Sequence, residues 1–348
     1  MSVGRLLSGC GRARIAAVGV VMLMIVAAAC PVDLLAQRRP PGSPPPESAR
    51  RAPELPLRPL LPAVTEEDVE IIGRFGDATS LASTATDLFY VSDAQQSTVT
   101  AIAPTGKVIV TLGGRGSEAG AFDEPLDVDP SNGLEIFVAD AGNGRIQHFS
   151  RSGKYIESLP VGRVDPGNRT SSRQPLFDAS RDGVDARADG RPIRVYAASS
   201  GDIYVLDARD KLIVRYDRQR RVEPFAGGFD ARDGRLVDPI AMTMVDDRLV
   251  VADAGRGELL LFDRFGSFDG IAPIPPNIRV RNLVADDDEL WIVAPERIVV
   301  FDIRRGRPIG TIPVTLGEPL VDVDRLDGML ALLTPTRLLL ARNVRLPR

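Results

Sequence analysis

Histidine, cysteine, tryptophan and lysine are scarce in this 348-residue chain: one His, two Cys, one Trp and three Lys. A single His excludes any metal site built on three His or on paired His and Cys. Two Cys exclude a disulfide framework, and both, Cys10 and Cys30, fall in the first 36 residues. The rest of the chain therefore has no thiol. Aromatics reach only 5%, while Gly 32 and Pro 28 point to many turns and few large anchors. Charge of one sign is also missing: 43 Lys+Arg against 47 Asp+Glu gives a formal net charge of −4. That balance argues against a general nucleic-acid binder, which is normally basic. The basic residues are 40 Arg and three Lys, and with abundant Ala, Gly and Pro this reflects GC-rich coding. Arg number alone thus carries no functional weight. What is present, 44% apolar and 26% charged residues, describes a globular protein. The length allows two or three average domains, or one large repeat or barrel domain.

The N-terminus reads as an export signal. Arg5, Arg12 and Arg14 precede the uncharged run Ile15–Ala29, a basic segment followed by a 15-residue apolar one. Fifteen residues fall short of the roughly 20 needed to span a bilayer. Residues 1–36 are a signal peptide, cleaved after Ala36, or an uncleaved signal anchor. A third alternative is a lipoprotein acylated at Cys30 after Ala27-Ala28-Ala29. Residues 37–65 form a Pro-rich linker. Nine prolines lie between Gln37 and Pro62, and proline's fixed φ and missing amide favour an extended spacer.

From residue 66 to 342 one unit recurs six times, and residues 343–348 are a C-terminal tail. The clearest unit reads as strands Leu126–Asp129, Leu134–Ala139, Arg145–Phe149 and Lys154–Leu159, separated by Gly, Asp, Asn and Pro. Its third strand recurs as Val99–Ile102, Ile146–Phe149, Ile213–Tyr216, Leu259–Phe262, Ile298–Phe301 and Leu338–Ala341. The spacing is 39–47 residues, except for one interval of 67. Four strands at this period predict an all-β, six-bladed β-propeller with four-stranded antiparallel blades. The last unit ends one strand short, and Val69–Ile72 looks like a stranded fourth strand. The expected closure pairs Val69–Ile72 with Arg337–Ala341, so that the N-terminal strand completes the last blade and limits exposed edges.

The second unit carries Gly113-Gly114, Gly120, Phe122, Pro125, Val138-Ala-Asp140, Asn143, Arg145-Ile-Gln, Phe149 and Gly153. This pattern resembles the NHL-repeat family of six-bladed propellers, in an exported bacterial form. Units one and four keep parts of it, as in Ser92-Asp93 and Val251-Ala-Asp253. Units five and six have Pro295 and Pro335 in place of the Asp. The resemblance implies the fold; function it leaves open, because propellers host unrelated chemistries.

Strand direction places the second-to-third-strand loops and the blade connectors on one face, the expected functional face. The long interval contains an insertion at 163–190, either a lid or an inert excursion. Arg115, Arg145, Arg194, Arg256, Arg279 and Arg281 are candidates for a basic channel mouth, since convergent guanidiniums bind carboxylate or phosphate. For Asp140 and Arg145 a structural role in the turn is the competing reading. Asp127-Val-Asp129-Pro-Ser-Asn132-Gly133 imitates a calcium loop without the trailing Glu and reads as a turn between the first and second strands. His148, in mid-strand, reads as a packed or surface-strand residue.

These observations favour a non-catalytic binding or scaffolding propeller with no cofactor. It is expected to be exported, periplasmic or secreted, and a monomer, and to meet a protein, peptide or glycan partner at the cell envelope. It contacts membrane only if the N-terminus stays anchored or lipidated, and nucleic acid is not expected. The alternative is a metal-dependent hydrolase or lyase of the gluconolactonase kind. That chemistry needs only carboxylate and Asn ligands for a Ca-type cation, with Asp77, Asp127, Asp238 and Asp322 as candidates. Lyases of similar fold that rely on His are excluded by the single His.

Overall fold

The computed structural model describes residues 57–84, 88–130, 133, 135–162, 189–326 and 328–342. The leader, the linker up to residue 56, the insertion 163–188 and the tail 343–348 lie outside the described residues, and with them the expected export signal or anchor and the expected lid or excursion. No helix among the described residues is long and apolar enough to cross a membrane.

The described chain folds into six antiparallel four-stranded blades. The innermost strands are Ala78–Thr84, Pro125–Asp129, Pro192–Ala197, Pro239–Val245, Asn282–Asp286 and Asp322–Leu326. They neighbour one another around a ring, and the sixth returns to the first. The second and third strands of each blade are apolar on both faces. Leu88–Asp93, Ile203–Asp207 and Glu289–Ala294 are buried almost throughout. The reason is that each blade lies between two others. Six apolar clusters fill the six gaps between neighbouring blades, one per gap. This burial on both faces explains why these strands read as continuous apolar runs rather than alternations.

Ring closure follows the sequence expectation. Glu70–Arg74 pairs antiparallel with Arg337–Ala341, with Ile71 opposite Leu339 and Arg74 opposite Arg337. Residues 57–65, assigned above to the linker, are different from an isolated spacer. Val64–Thr65 pairs in parallel with Val314–Thr315 as a fifth strand on blade five. Pro59 bridges Thr311, and the Leu60 amide donates to the Thr311 carbonyl at 2.8 Å. Val64 is 2% exposed within the core between blades five and six. Proline suits this place because an edge strand needs only half its amides for the ladder.

The two ends of the insertion meet at the ring. The Gly190 amide donates to the Val161 carbonyl at 2.8 Å. Blades two and three therefore keep their packing across the long interval, with Val161 and Val195 in one cluster.

Candidate binding site at the channel mouth

In blades one to four the connector on the candidate face is tied down by the Asp that ends the second strand. Asp93 accepts the amides of Gly76 at 2.6 Å and Asp77 at 3.1 Å. Asp140 accepts that of Asp123 at 2.7 Å, Asp207 that of Arg191 at 2.9 Å, and Asp253 that of Val237 at 2.6 Å. The carboxylate thus fastens the incoming connector to the loop of its own blade. In blades five and six the Pro carbonyl substitutes: Pro295 accepts the Leu320 amide at 2.9 Å, and Pro335 accepts that of Ala78 at 2.8 Å.

The predicted arginines separate into three groups. Arg145 and Arg256 work inside the connectors. The Arg145 Nε donates to Asp140 at 2.8 Å and its Nη2 donates to the carbonyls of Glu118 and Ala121. Arg256 pairs with Glu258 at 3.0 Å and donates to the Asp233 carbonyl. Arg115 and Arg279 are exposed. Arg194 and Arg281 come together. They line one cavity of about 300 Å³ at the channel mouth, with Asp77, Thr79 and Leu126 at its wall. Arg194 reaches across the channel from blade three to blade five. Its Nε donates to Asn282 at 3.1 Å and its Nη2 to the Arg281 carbonyl at 3.2 Å. The Arg281 side chain is exposed at the rim.

Below the mouth the channel is lined by carboxyls. Asp127 and Asp129 lie on the inner strand of blade two, within the expected strand Leu126–Asp129 and ahead of the turn that follows it. Asp127 accepts the Val195 amide at 2.8 Å, and Asp129 the Ala197 amide at 2.5 Å, both from blade three. Asp322-Val-Asp324 repeats the arrangement between blades six and one. Asp322 accepts the Leu81 amide at 2.8 Å, and Asp324 bonds Ser83. Alternate residues of a strand share one face, so each Asp-Val-Asp grips two successive inward amides of a neighbouring blade. Sequence reasoning missed Asn282, Ser80, whose hydroxyl accepts the Val128 amide at 3.1 Å from the neighbouring blade, and this role of the acids. The signal was available as one tripeptide repeated at the same strand position of two units.

Burial raises the Asp127, Asp322 and Asp324 carboxyls. Desolvation pushes Asp127 up to about 6 against the pull of the Arg194 charge and the Val195 amide. Asp322 rises to about 7 and Asp324 to about 6, again through desolvation. Unfolded carboxyls ionise near ~4. Between about pH 4 and 7 the folded state therefore holds more protons than the unfolded state, and this contribution to stability falls as pH rises. Asp322→Asn is expected to flatten the decline in urea midpoint across that range. A profile that keeps its slope in the variant would show that Asp322 stays ionised when folded.

The channel carboxyls are engaged by the backbone. Both Asp322 oxygens accept backbone amides, from Leu81 and Val323 at 2.8 Å each. Asp238 is exposed, and Asp77 lies at the mouth. Among the described residues no group of three or more His, Cys, Asp or Glu is placed to hold a metal. Of the two readings for His148 the structure shows the packed one, in mid-strand and 2% exposed. It stacks on Phe137 and lies 3.0 Å from both Glu135 and Glu157.

A ring of six blades around a polar channel defines the six-bladed β-propeller class. No family model and no curated protein sequence matches the chain. Solved structures do match in fold. A gluconolactonase from Xanthomonas campestris is 16% identical with a TM-score of 0.56, over 78% of this chain and 89% of that one. Virginiamycin B lyase from Staphylococcus aureus is 11% identical with a TM-score of 0.54, over 78% and 98%. The WD40 repeats of RRP9 are 11% identical with a TM-score of 0.53, over 80% and 98%. These likenesses establish the fold and span both enzymes and a WD40 protein.

Proposed function

We propose that this chain is an exported, NHL-like binding propeller that holds an anionic group of a protein, peptide or glycan partner at its channel mouth. The cavity shared by Arg194 and Arg281 carries the reading. Arg194 brings positive charge to the channel axis with its donors turned to protein acceptors, and Arg281 presents its guanidinium at the rim. The acids beneath are occupied by backbone amides, which supports binding over metal-assisted hydrolysis.

The test is Arg281→Glu, chosen because the Arg281 side chain is exposed while its backbone carries the bonds to Val293 and Arg194. Reversal of charge at the rim is expected to leave the melting temperature within about 2 °C, as for other exposed sites. Capture of envelope proteins or glycans is expected to drop at least about fivefold, which corresponds to ~1 kcal/mol. Capture by the wild type should weaken with added salt. Equal capture by wild type and variant would remove the channel mouth from the binding site.

A further inference from the structure

We propose that the outer edge of blade four is a peptide-docking site, separate from the channel mouth. It would pair in parallel with an extended Leu- and Pro-containing segment of a partner protein and receive a leucine side chain over Gly270. The argument starts from blade five, where the chain already does this to itself. The strap at 58–65 lies along the outer strand Arg307–Thr315, and the Thr311 amide and carbonyl bond Arg58 and Leu60. A Cβ built on Gly310 would come within 2.6 Å of the Leu60 side chain. The missing side chain of Gly310 is thus the room in which Leu60 sits.

Blade four repeats the socket in register. Gly270 pairs with Leu261 as Gly310 pairs with Val300, and Leu261 and Val300 hold the same place in their strands. The residues around them also correspond: Phe268 opposite Phe262 matches Pro308 opposite Phe301, and Pro273 opposite Glu258 matches Pro313 opposite Arg297. Both pairings carry the one-residue irregularity at the same point. A Cβ on Gly270, however, would meet nothing within 4 Å. Phe268 and Ile271 beside it are 37% and 49% exposed. Phe268 and Ile271 lie on the opposite face of the strand from Gly270, where a cavity of about 250 Å³ toward blade three has Phe225, Phe262 and Phe268 in its wall.

The same position is filled or charged in the other four blades. It is Val110 in blade one, Glu157 in blade two, Glu223 in blade three and Glu70 in blade six. Charged side chains on an edge strand discourage pairing with another chain. Blade four has neither the charge nor the bulk there, and Asp269 next to Gly270 is turned to Arg248 of its own blade at 3.4 Å. The occupant's chemistry is read from the strap that fits blade five, Leu57-Arg-Pro-Leu-Leu-Pro-Ala-Val64. Strand addition of this kind takes affinity from the backbone and specificity from side-chain pockets.

The test is fluorescence anisotropy of a labelled synthetic peptide with the sequence of residues 57–66, titrated with the full chain. Saturable binding of one equivalent is expected. Gly270 has φ +149°, which strains any other residue, so two variants are used. Gly270→Val and the exposed Ile271→Glu should each weaken binding at least about tenfold, with Ile271→Glu keeping the wild-type melting temperature. No binding up to about 1 mM peptide, or binding unchanged by Ile271→Glu as expected from exchange with the strap on blade five, would overturn the proposal. So would self-association of the chain that Ile271→Glu abolishes, since the occupant is then a second copy.

Discussion

A stepwise N-terminal series is expected to separate two stabilising devices. Chains beginning at residue 57, at residue 66 and at residue 75 should melt at successively lower temperatures. The first step removes the strap. Val64 is buried, and Leu60 and Leu61 pack on the core between blades five and six. Apolar burial of that size contributes about 2–4 kcal/mol, or roughly 5–10 °C for a protein of this size. The second step removes the closing strand and is expected to be larger. Ile72 is 7% exposed in a cluster with Phe89, Ile102 and Leu340. The backbone edge of Arg337–Ala341 would lose its partner strand, and the only covalent link holding blade six to blade one would be gone. Glu66, lost in the same step, pairs with Arg337 through two contacts of 3.0 Å and accepts the Gly317 amide at 2.8 Å. A further fall of about 10–20 °C is expected, from about 5 kcal/mol or more. Equal melting of the chains beginning at 66 and 75 would show that the ring closes without Glu70–Arg74.

Asp140→Ala is expected to be the most damaging single substitution on the face that carries the blade connectors. Its carboxylate is fully buried and is a hub. It accepts the Asp123 amide, the Asn143 amide group, the Arg145 Nε at 2.8 Å and the Gln147 Nε2 at 2.9 Å. Removing it leaves a partly buried guanidinium and a buried amide without their partner, which costs about 3–5 kcal/mol. Asp140→Asn should cost less, because an oxygen remains to accept one donor. Urea unfolding of the three proteins gives the comparison, and a loss under about 1 kcal/mol for Asp140→Ala would show that the loop is held by its backbone alone. Asp93, Asp207 and Asp253 occupy the same place with fewer side-chain donors, so their Ala variants should lose less.

The blades were legible because their signal is local and repeated. A third strand such as Leu259–Phe262 or Ile298–Phe301 is buried on both sides in every blade, so apolar residues recur at every copy. The closing strand was legible for the same reason: a unit one strand short has to be completed by whatever lone strand lies elsewhere. The structural work of Asp140 and Arg145 also showed, since a strand-ending Asp before a turn has a known use for its oxygens.

The channel was much less legible. Six arginines could be nominated for the mouth, yet only Arg194 and Arg281 line one cavity. Arg145 and Arg256 are spent on carbonyls within their own connectors. Nothing in the local sequence distinguishes a rim arginine from a connector arginine, because the difference lies in which acceptors other blades bring near. The acids show the same limit. Asp127 sits 68 residues from the Val195 amide it accepts, and Asp322 sits 241 from that of Leu81.

By itself, then, the sequence determined the blade, its number of copies, the strand that closes the ring and the loop clasps, all of which are set within about one repeat length. Only the tertiary structure decided which charges face one another across the channel, that residues 58–65 lie on blade five, and that Gly270 opens onto space while Gly310 holds Leu60. These depend on contacts between blades, where side chains far apart in sequence meet, and a periodic pattern does not carry that information.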